Sequence, residues 1–238
     1  MTALVEVREV SKAYGSLVVA SDISFSLDAG EVLGILGPNG AGKTTLFNMI
    51  SGDVAPDAGR IFLGGADVTR LRPHERCRRG IGRSYQIARP FGGLTVFENV
   101  LVGAIFGGGK ADANRRCVEV LELTGLLPKA NRLARTLTLI DRKRLEFARA
   151  LATEPNVLLL DEIAGGLTEP EAREVADIVR TIKARDVAIV WIEHVVHALL
   201  AVATRLFVMH QGAKLIEGEP RATIESADVR RIYMGIEA

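Results

Sequence analysis

Nine consecutive residues carry the clearest chemistry in the chain. They are Gly37-Pro38-Asn39-Gly40-Ala41-Gly42-Lys43-Thr44-Thr45, in the pattern G-x-x-x-x-G-K-[ST]. The glycines let the backbone curl until successive N–H groups point inward and form a nest for anionic oxygens. Lys43 supplies a point charge suited to the β- and γ-phosphates of a nucleotide. Thr44 offers a hydroxyl to Mg²⁺. Thr45 to Ile50 is apolar at helical spacing, so the loop opens a helix whose positive end faces the phosphates.

A second group stands far downstream. Val157-Leu158-Leu159-Leu160-Asp161-Glu162 reads as a buried parallel strand with two acids at its C-terminal end, the end that carries ligands in open α/β sheets. Asp161 suits the Mg²⁺ shell of a P-loop. Glu162 suits orientation or deprotonation of an attacking water. Gln86 sits where another strand ends, and Glu193-His194 caps a third. Two readings stand for His194: a side chain reaching the γ-phosphate, or a structural histidine. Two also stand for Tyr14: a ring stacking on adenine, worth about 1–3 kcal/mol, or a ring packed under a hairpin.

These residues need a scaffold. Val32-Leu33-Gly34-Ile35-Leu36 reads as the buried strand that feeds the loop. Upstream, residues 4–10, 17–19 and 23–27 read as short antiparallel strands, the first of edge type with imperfect polarity. After the P-loop helix, residues 60–63 and 81–85 read as strands. The charged run 73–79 between them reads as a solvated helical turn. From Thr95 to Ala150 the spacing turns helical, with stripes Val96, Val100, Leu101, Ile105; then Val118, Leu121, Leu123, Leu126; then Leu145, Ala148, Leu151, Ala152. Residues 1–86 and 155–238 are therefore expected to form an α/β core, interrupted by an all-helical insertion over 87–154 that hinges near Gln86. Residues 169–185 read as an amphipathic helix. Strands are expected at 187–192, 205–210 and 213–216, then a short final helix.

Composition narrows the classes. The 238 residues suffice for one large domain, with 48% hydrophobic and 25% charged residues, as in ordinary globular chains. A net charge of +1 offers no bulk field for nucleic acid or an anionic membrane. Cys77 and Cys117 lie far apart without other ligand-type residues and read as reduced thiols of a cytoplasmic protein. No run of 18 apolar residues and no signal-type N-terminus occurs.

The order Tyr14, Gly37 to Thr45, Gln86, helical insertion, Asp161-Glu162, Gly166-Leu167-Thr168, His194 resembles the ATP-binding subunits of ABC transporters over essentially the whole chain. The resemblance implies a RecA-like parallel sheet with an N-terminal antiparallel β subdomain and a helical insertion. It assigns an adenine-stacking loop to Tyr14 and the Q-loop to Gln86, the latter also beside the metal with Thr44 and Asp161. Glu162 becomes the catalytic glutamate and His194 the switch histidine. Gln86-Ile87-Ala88-Arg89-Pro90-Phe91, Leu94 to Val100, Arg144 to Leu151 and Glu193-His194 look like the ATPases of branched-chain amino-acid importers. That likeness implies ATP and Mg²⁺, a second ATPase subunit, two membrane permeases, a periplasmic binding protein, and a seat on the cytoplasmic face of the membrane.

The family's signature, Leu-Ser-Gly-Gly-Gln in its common form, falls at Leu137-Thr138-Leu139-Ile140-Asp141. Thr138, Leu139, Ile140 and Asp141 are thus expected to meet the nucleotide of the partner subunit. Ile140 replaces a glycine; a β-branched residue crowds that approach and takes positive φ only at a cost. The site built on this signature is expected to be the weaker, which favours pairing with a different chain over a homodimer. Two other classes compete: a soluble ABC-type ATPase of translation or DNA repair, and a P-loop small-molecule kinase. The first usually carries tandem halves or long coiled coils; the second needs an acceptor pocket and lid. Co-purification with a permease separates them.

Overall fold

The computed structural model describes residues 3–107 and 112–234; residues 108–111 of the expected insertion and the extreme ends of the expected 1–238 domain lie outside the described residues. In chain order the strands are β1 (Val5–Tyr14), β2 (Leu17–Leu27), β3 (Val32–Leu36), β4 (Ala58–Leu63), β5 (Ala66–Asp67), β6 (Ile81–Arg83), β7 (Val157–Asp161), β8 (Ala188–Ile192), β9 (Arg205–His210) and β10 (Ala213–Gly218). The α-helices are α1 (Lys43–Ser51), α2 (Pro73–Arg78), α3 (Val96–Phe106), α4 (Ala113–Leu123), α5 (Leu139–Leu151), α6 (Glu169–Lys183), α7 (Val196–Leu200), α8 (Pro220–Glu225) and α9 (Ala227–Met234).

Two sheets organise the chain. The larger has the order β10-β9-β3-β8-β7-β6, with all its pairings parallel except β10 against β9. The smaller is antiparallel, in the order β2-β1-β4-β5. This is the expected α/β class. β3, β7 and β8 are buried at every position, so apart from Asp161 at the end of β7 their sequences run apolar without alternation. Leu158 and Leu160 enter one core with α3 to α6; Val157 and Leu159 enter the other with α1 and the small sheet. Parallel strands place their C-terminal ends on one edge, which gathers the residues that follow β3, β6, β7 and β8.

Several expectations are corrected. β1 is not an edge strand: it lies between β2 and β4 and runs on to Tyr14. Its irregular polarity comes from bulges. The inward residues are Val5, Val7 and Val10, and the register shifts between Val7 and Val10 beside Glu9 at φ 50°. Residues 17–27 form one strand rather than two. In α4 the inward residues are Cys117, Val120 and Leu121, while Val118 is exposed; Ile105 at the end of α3 is exposed as well. The charged run 73–79 is only partly solvated. Arg76 is buried and donates to the carbonyls of Met49 (2.6 Å), Ile50 (2.7 Å), Thr69 (2.8 Å) and Leu71 (3.1 Å). It thereby satisfies the C-terminal carbonyls of α1, where a cation is favoured. Burial lowers its pKa to about 10.

Candidate functional site

The glycine-rich loop spans the gap between β3 and α1. Gly42, the N-cap of α1, has φ 96°, and a Cβ there would run into the carbonyl oxygen of Val19 on β2. Only glycine satisfies both constraints. No side chain caps α1 and no acid occupies its first turn, so the first N–H groups of the helix are left for an anion. Asn39 and Gly40 are exposed at the loop tip, Ala41 is buried, Pro38 and Thr45 are half-buried, and Gly37 is packed against the backbone of Met209. Lys43 is buried, and its Nζ donates to the carbonyls of Gly37 (2.6 Å) and Pro38 (3.0 Å). Burial pulls its pKa down, while the charges of Glu162 and Asp161 push it back up.

The acids sit across from this loop. Asp161 ends β7 and is buried; its backbone N–H donates to Ser84 Oγ at 3.3 Å, and Arg83 Nη2 lies 3.5 Å from its Oδ2. Burial raises the Asp161 carboxyl above its ordinary range against the pull of Arg83. Glu162 follows at φ 49°, a left-handed conformation that costs a non-glycine residue about 1–2 kcal/mol. Its N–H donates to the carbonyl of Ile192 at 2.9 Å, so the β7–β8 ladder reaches it. His194 Nε2 stands 2.7 Å from Glu162 Oε1, and Gln86 Nε2 donates to Glu162 Oε2. Two side chains, each from the end of another strand, thus converge on one carboxylate.

Thr44, Gln86 and Asp161 line one cleft of about 530 Å³, together with Arg83. Among the described residues no group of three His, Cys, Asp or Glu side chains is arranged for a metal. Thr44, Gln86 and Asp161 offer a hydroxyl, an amide and a carboxylate, in a lining that also includes Asp53 and Glu146; these oxygen donors fit a Mg²⁺ ion completed by phosphate and water oxygens.

Other expected residues lie elsewhere. Tyr14 is 51% exposed at the end of β1, with Lys12 Nζ 5.6 Å from its ring centroid; it is not packed under the hairpin. Thr138 to Asp141 form the start of α5. Thr138 Oγ1 accepts from Asp141 N–H at 3.3 Å and donates to Asp141 Oδ2 at 2.8 Å; Lys129 Nζ is 2.6 Å from the same oxygen. Leu139 is 64% exposed. Ile140 lies in the first helical turn, at no positive φ, and lines a small crevice with Lys143, Ile163 and Leu167. The expected conformational penalty at Ile140 is therefore absent.

Sequence reasoning missed three side chains. Arg83 donates through Nη1 to Asn48 Oδ1 (2.8 Å), Ser51 Oγ (2.7 Å) and Asp53 Oδ2 (2.9 Å), joining α1 to Asp161. Lys143 and Glu193 contact the backbone around Glu162. A charged residue ending a buried strand was the one available signal for Arg83 and Glu193.

A probable ABC transporter ATP-binding protein of Azorhizobium caulinodans is 38% identical over 96% of this chain and 82% of its own length. A lipopolysaccharide export system ATP-binding protein, LptB, of Acidithiobacillus ferridurans is 35% identical over 99% and 98%. A high-affinity branched-chain amino acid transport ATP-binding protein, LivG, of Salmonella typhimurium is 33% identical over 98% of each. The crystal structure of a nucleotide-free ATP-binding cassette from an ABC transporter superposes with a TM-score of 0.90, at 28% identity, covering all of both chains. The profile of the ABC transporter family matches residues 20–165, more than half of the sequence. With an open phosphate nest beside two strand-end acids and this match, the chain belongs to the ABC transporter family, as an ATP-binding and ATP-hydrolysing subunit coupled to transport.

Proposed function

We propose that this chain powers an importer of branched-chain amino acids or a related small polar solute. It works on the cytoplasmic face of the membrane as one of two ATPases, paired with a different chain in preference to a copy of itself. Two membrane permeases receive its motion, and a periplasmic binding protein delivers the solute. Residues 1–86 and 155–238 serve as the nucleotide-binding core; residues 87–154 transmit to the permeases, with Gln86 as the link.

Gly37 to Thr45 hold the phosphates and Tyr14 stacks on the adenine. Lys43 leaves its loop carbonyls for the β- and γ-phosphates. Thr44, Asp161 and Gln86 hold Mg²⁺, which neutralises phosphate charge when bound. Glu162 orients and deprotonates the attacking water. His194 and Lys43 face the charge that develops as the bond breaks. Thr138 to Asp141 meet the nucleotide of the partner subunit.

One observation carries this reading: the carboxylate of Glu162 is held by His194 and Gln86 beside an uncapped, glycine-lined helix start. The test is Glu162→Gln. It should keep ATP, lose about 10²–10⁴-fold in turnover, and sediment in ATP as a dimer with the second ATPase subunit, because hydrolysis is what ends the closed state. Equal turnover in variant and wild type would remove Glu162 from the chemistry. The cargo rests on the likeness of residues 86–91 and 94–100 to importer ATPases. A lipidic export cargo is the second reading, favoured by the similar identity to the LptB relative. Pull-down from native membranes identifies the permease and decides.

A further inference from the structure

The turn that carries Glu162 is gripped from two sides. Lys143, in the second turn of α5, sends its Nζ to the carbonyl oxygens of Glu162 (3.3 Å) and Gly165. Glu193, directly after β8, is wholly buried. Its Oε2 accepts from Ala164 N–H at 2.8 Å, and its Oε1 accepts from His194 N–H (3.0 Å) and Val195 N–H (3.4 Å). A cation thus takes the carbonyls of the turn and an anion takes its amide. Neither side chain lines the cleft of Thr44 and Asp161.

We propose that Lys143 and Glu193 are positioning residues for hydrolysis, which clamp the Glu162–Gly165 turn and so aim the Glu162 carboxylate at His194. The proposal rests on Glu162 being the base. Its physical content is that Glu162 sits in a left-handed conformation that the chain alone does not favour. Such conformations persist where surrounding contacts over-determine them. Here those contacts come from α5 and from the segment that bears His194. One carboxylate therefore registers the turn and the histidine together, with one oxygen for each. Charge supports the pairing: burial lowers Lys143, and Glu193 and Glu162 raise it again. Lys143 also lies five residues after Thr138, so the helix that begins with the signature segment holds the turn of its own subunit.

The test uses the full-length chain. Glu193→Gln keeps the side-chain shape but turns an NH₂ group toward an N–H donor, so one side of the clamp must open. Lys143→Met keeps the stem and removes the donor. Each should lower kcat about tenfold or more while KM for ATP stays within about twofold, the pattern of an interaction expressed in the transition state. Lys143→Arg should restore most of the rate, which a packing role would not require. Independently of turnover, amide exchange over residues 162–168 should accelerate in Glu193→Gln, with the Gly37–Thr45 loop unchanged. Wild-type kcat in both variants, or a loss that tracks the folded fraction or KM, overturns the clamp. So does unchanged exchange at 162–168. Glu162→Gln runs alongside. If it hydrolyses ATP normally, the base assignment falls and takes the clamp with it. If it is inactive while Lys143→Met and Glu193→Gln retain wild-type kcat, the clamp alone falls.

Discussion

Two helices of this chain begin with a short polar motif, and their N-termini are built in opposite ways. α1 starts at Gly42, with no side-chain cap and no acid in its first turn. α5 starts at Thr138, whose hydroxyl accepts from Asp141 N–H, while Asp141 is in turn bonded to Thr138 and Lys129. Every helix start exposes N–H groups that need partners. α1 leaves that need to a ligand, whereas α5 meets part of it from its own sequence. The first has the open geometry of an anion site. The second leaves fewer N–H groups free; under the function proposed above, it acts only when a second subunit brings a nucleotide to it.

The largest effect that would break this contrast is at Lys43. Its ammonium is buried against the carbonyls of Gly37 and Pro38, within the field of Asp161 and Glu162. Lys43→Ala should weaken ATP binding or turnover by about 10²-fold or more, with the melting curve little changed because only loop carbonyls lose a partner. Equilibrium nucleotide titration beside a thermal melt measures both. Undiminished affinity and turnover in a folded variant would mean that the open helix start does not do the binding.

A smaller effect is expected at the capped start. Asp141→Asn should cost about 1–2 kcal/mol of folding stability and leave ATP affinity of the isolated chain unchanged. Burial by itself raises the Asp141 carboxyl, but the hydrogen bonds from Lys129 and Thr138 outweigh it and hold the pKa below its ordinary 3.8. A lowered folded-state pKa adds stability above the unfolded value and loses it as pH falls through the folded one. The gap between wild type and Asp141→Asn should therefore be full above pH 3.8 and close below it. Denaturant titrations across that range test the sign. A gap that widens toward acid would assign the stabilisation to another group.

The same contrast explains what could be read from sequence. The P-loop was legible because backbone chemistry fixes glycine, lysine and threonine at set spacings, and the buried strands because β3, β7 and β8 run apolar without alternation up to Asp161 at the end of β7. Long-range contacts were not. Arg76 looked like one more surface charge, yet it closes α1 through carbonyls 26 and 27 residues away. Lys143 and Glu193 reach the Glu162 turn across 19 to 29 residues, with no local pattern to announce it. Small shifts of face were also hidden: Val118 and Cys117 differ by one position, and only packing on the neighbouring helices selects Cys117. At Ile140 the residue type suggested strain, but the first turn of a right-handed helix demands none.

The signature start was expected to be crowded by Ile140, yet Ile140 is half-buried and lines a crevice with Ile163 and Leu167 of its own chain. The apolar side chain most exposed at this helix start is Leu139, at 64%. Crowding of a partner's phosphate should therefore come mainly from Leu139, and the role of Ile140 should be mainly packing. Leu139→Ser should raise ATP turnover severalfold, short of about tenfold, since it frees an approach without adding a donor. Ile140→Ala should move turnover less and cost about 1 kcal/mol of stability, the worth of a partly buried aliphatic side chain. Steady-state hydrolysis and denaturation of both variants, alone and with the second ATPase subunit, decide between the positions. A larger gain from Ile140→Ala would return the crowding to Ile140. No gain from either would mean that the helix start meets nucleotide unhindered, which would remove the steric reason for pairing with a different chain.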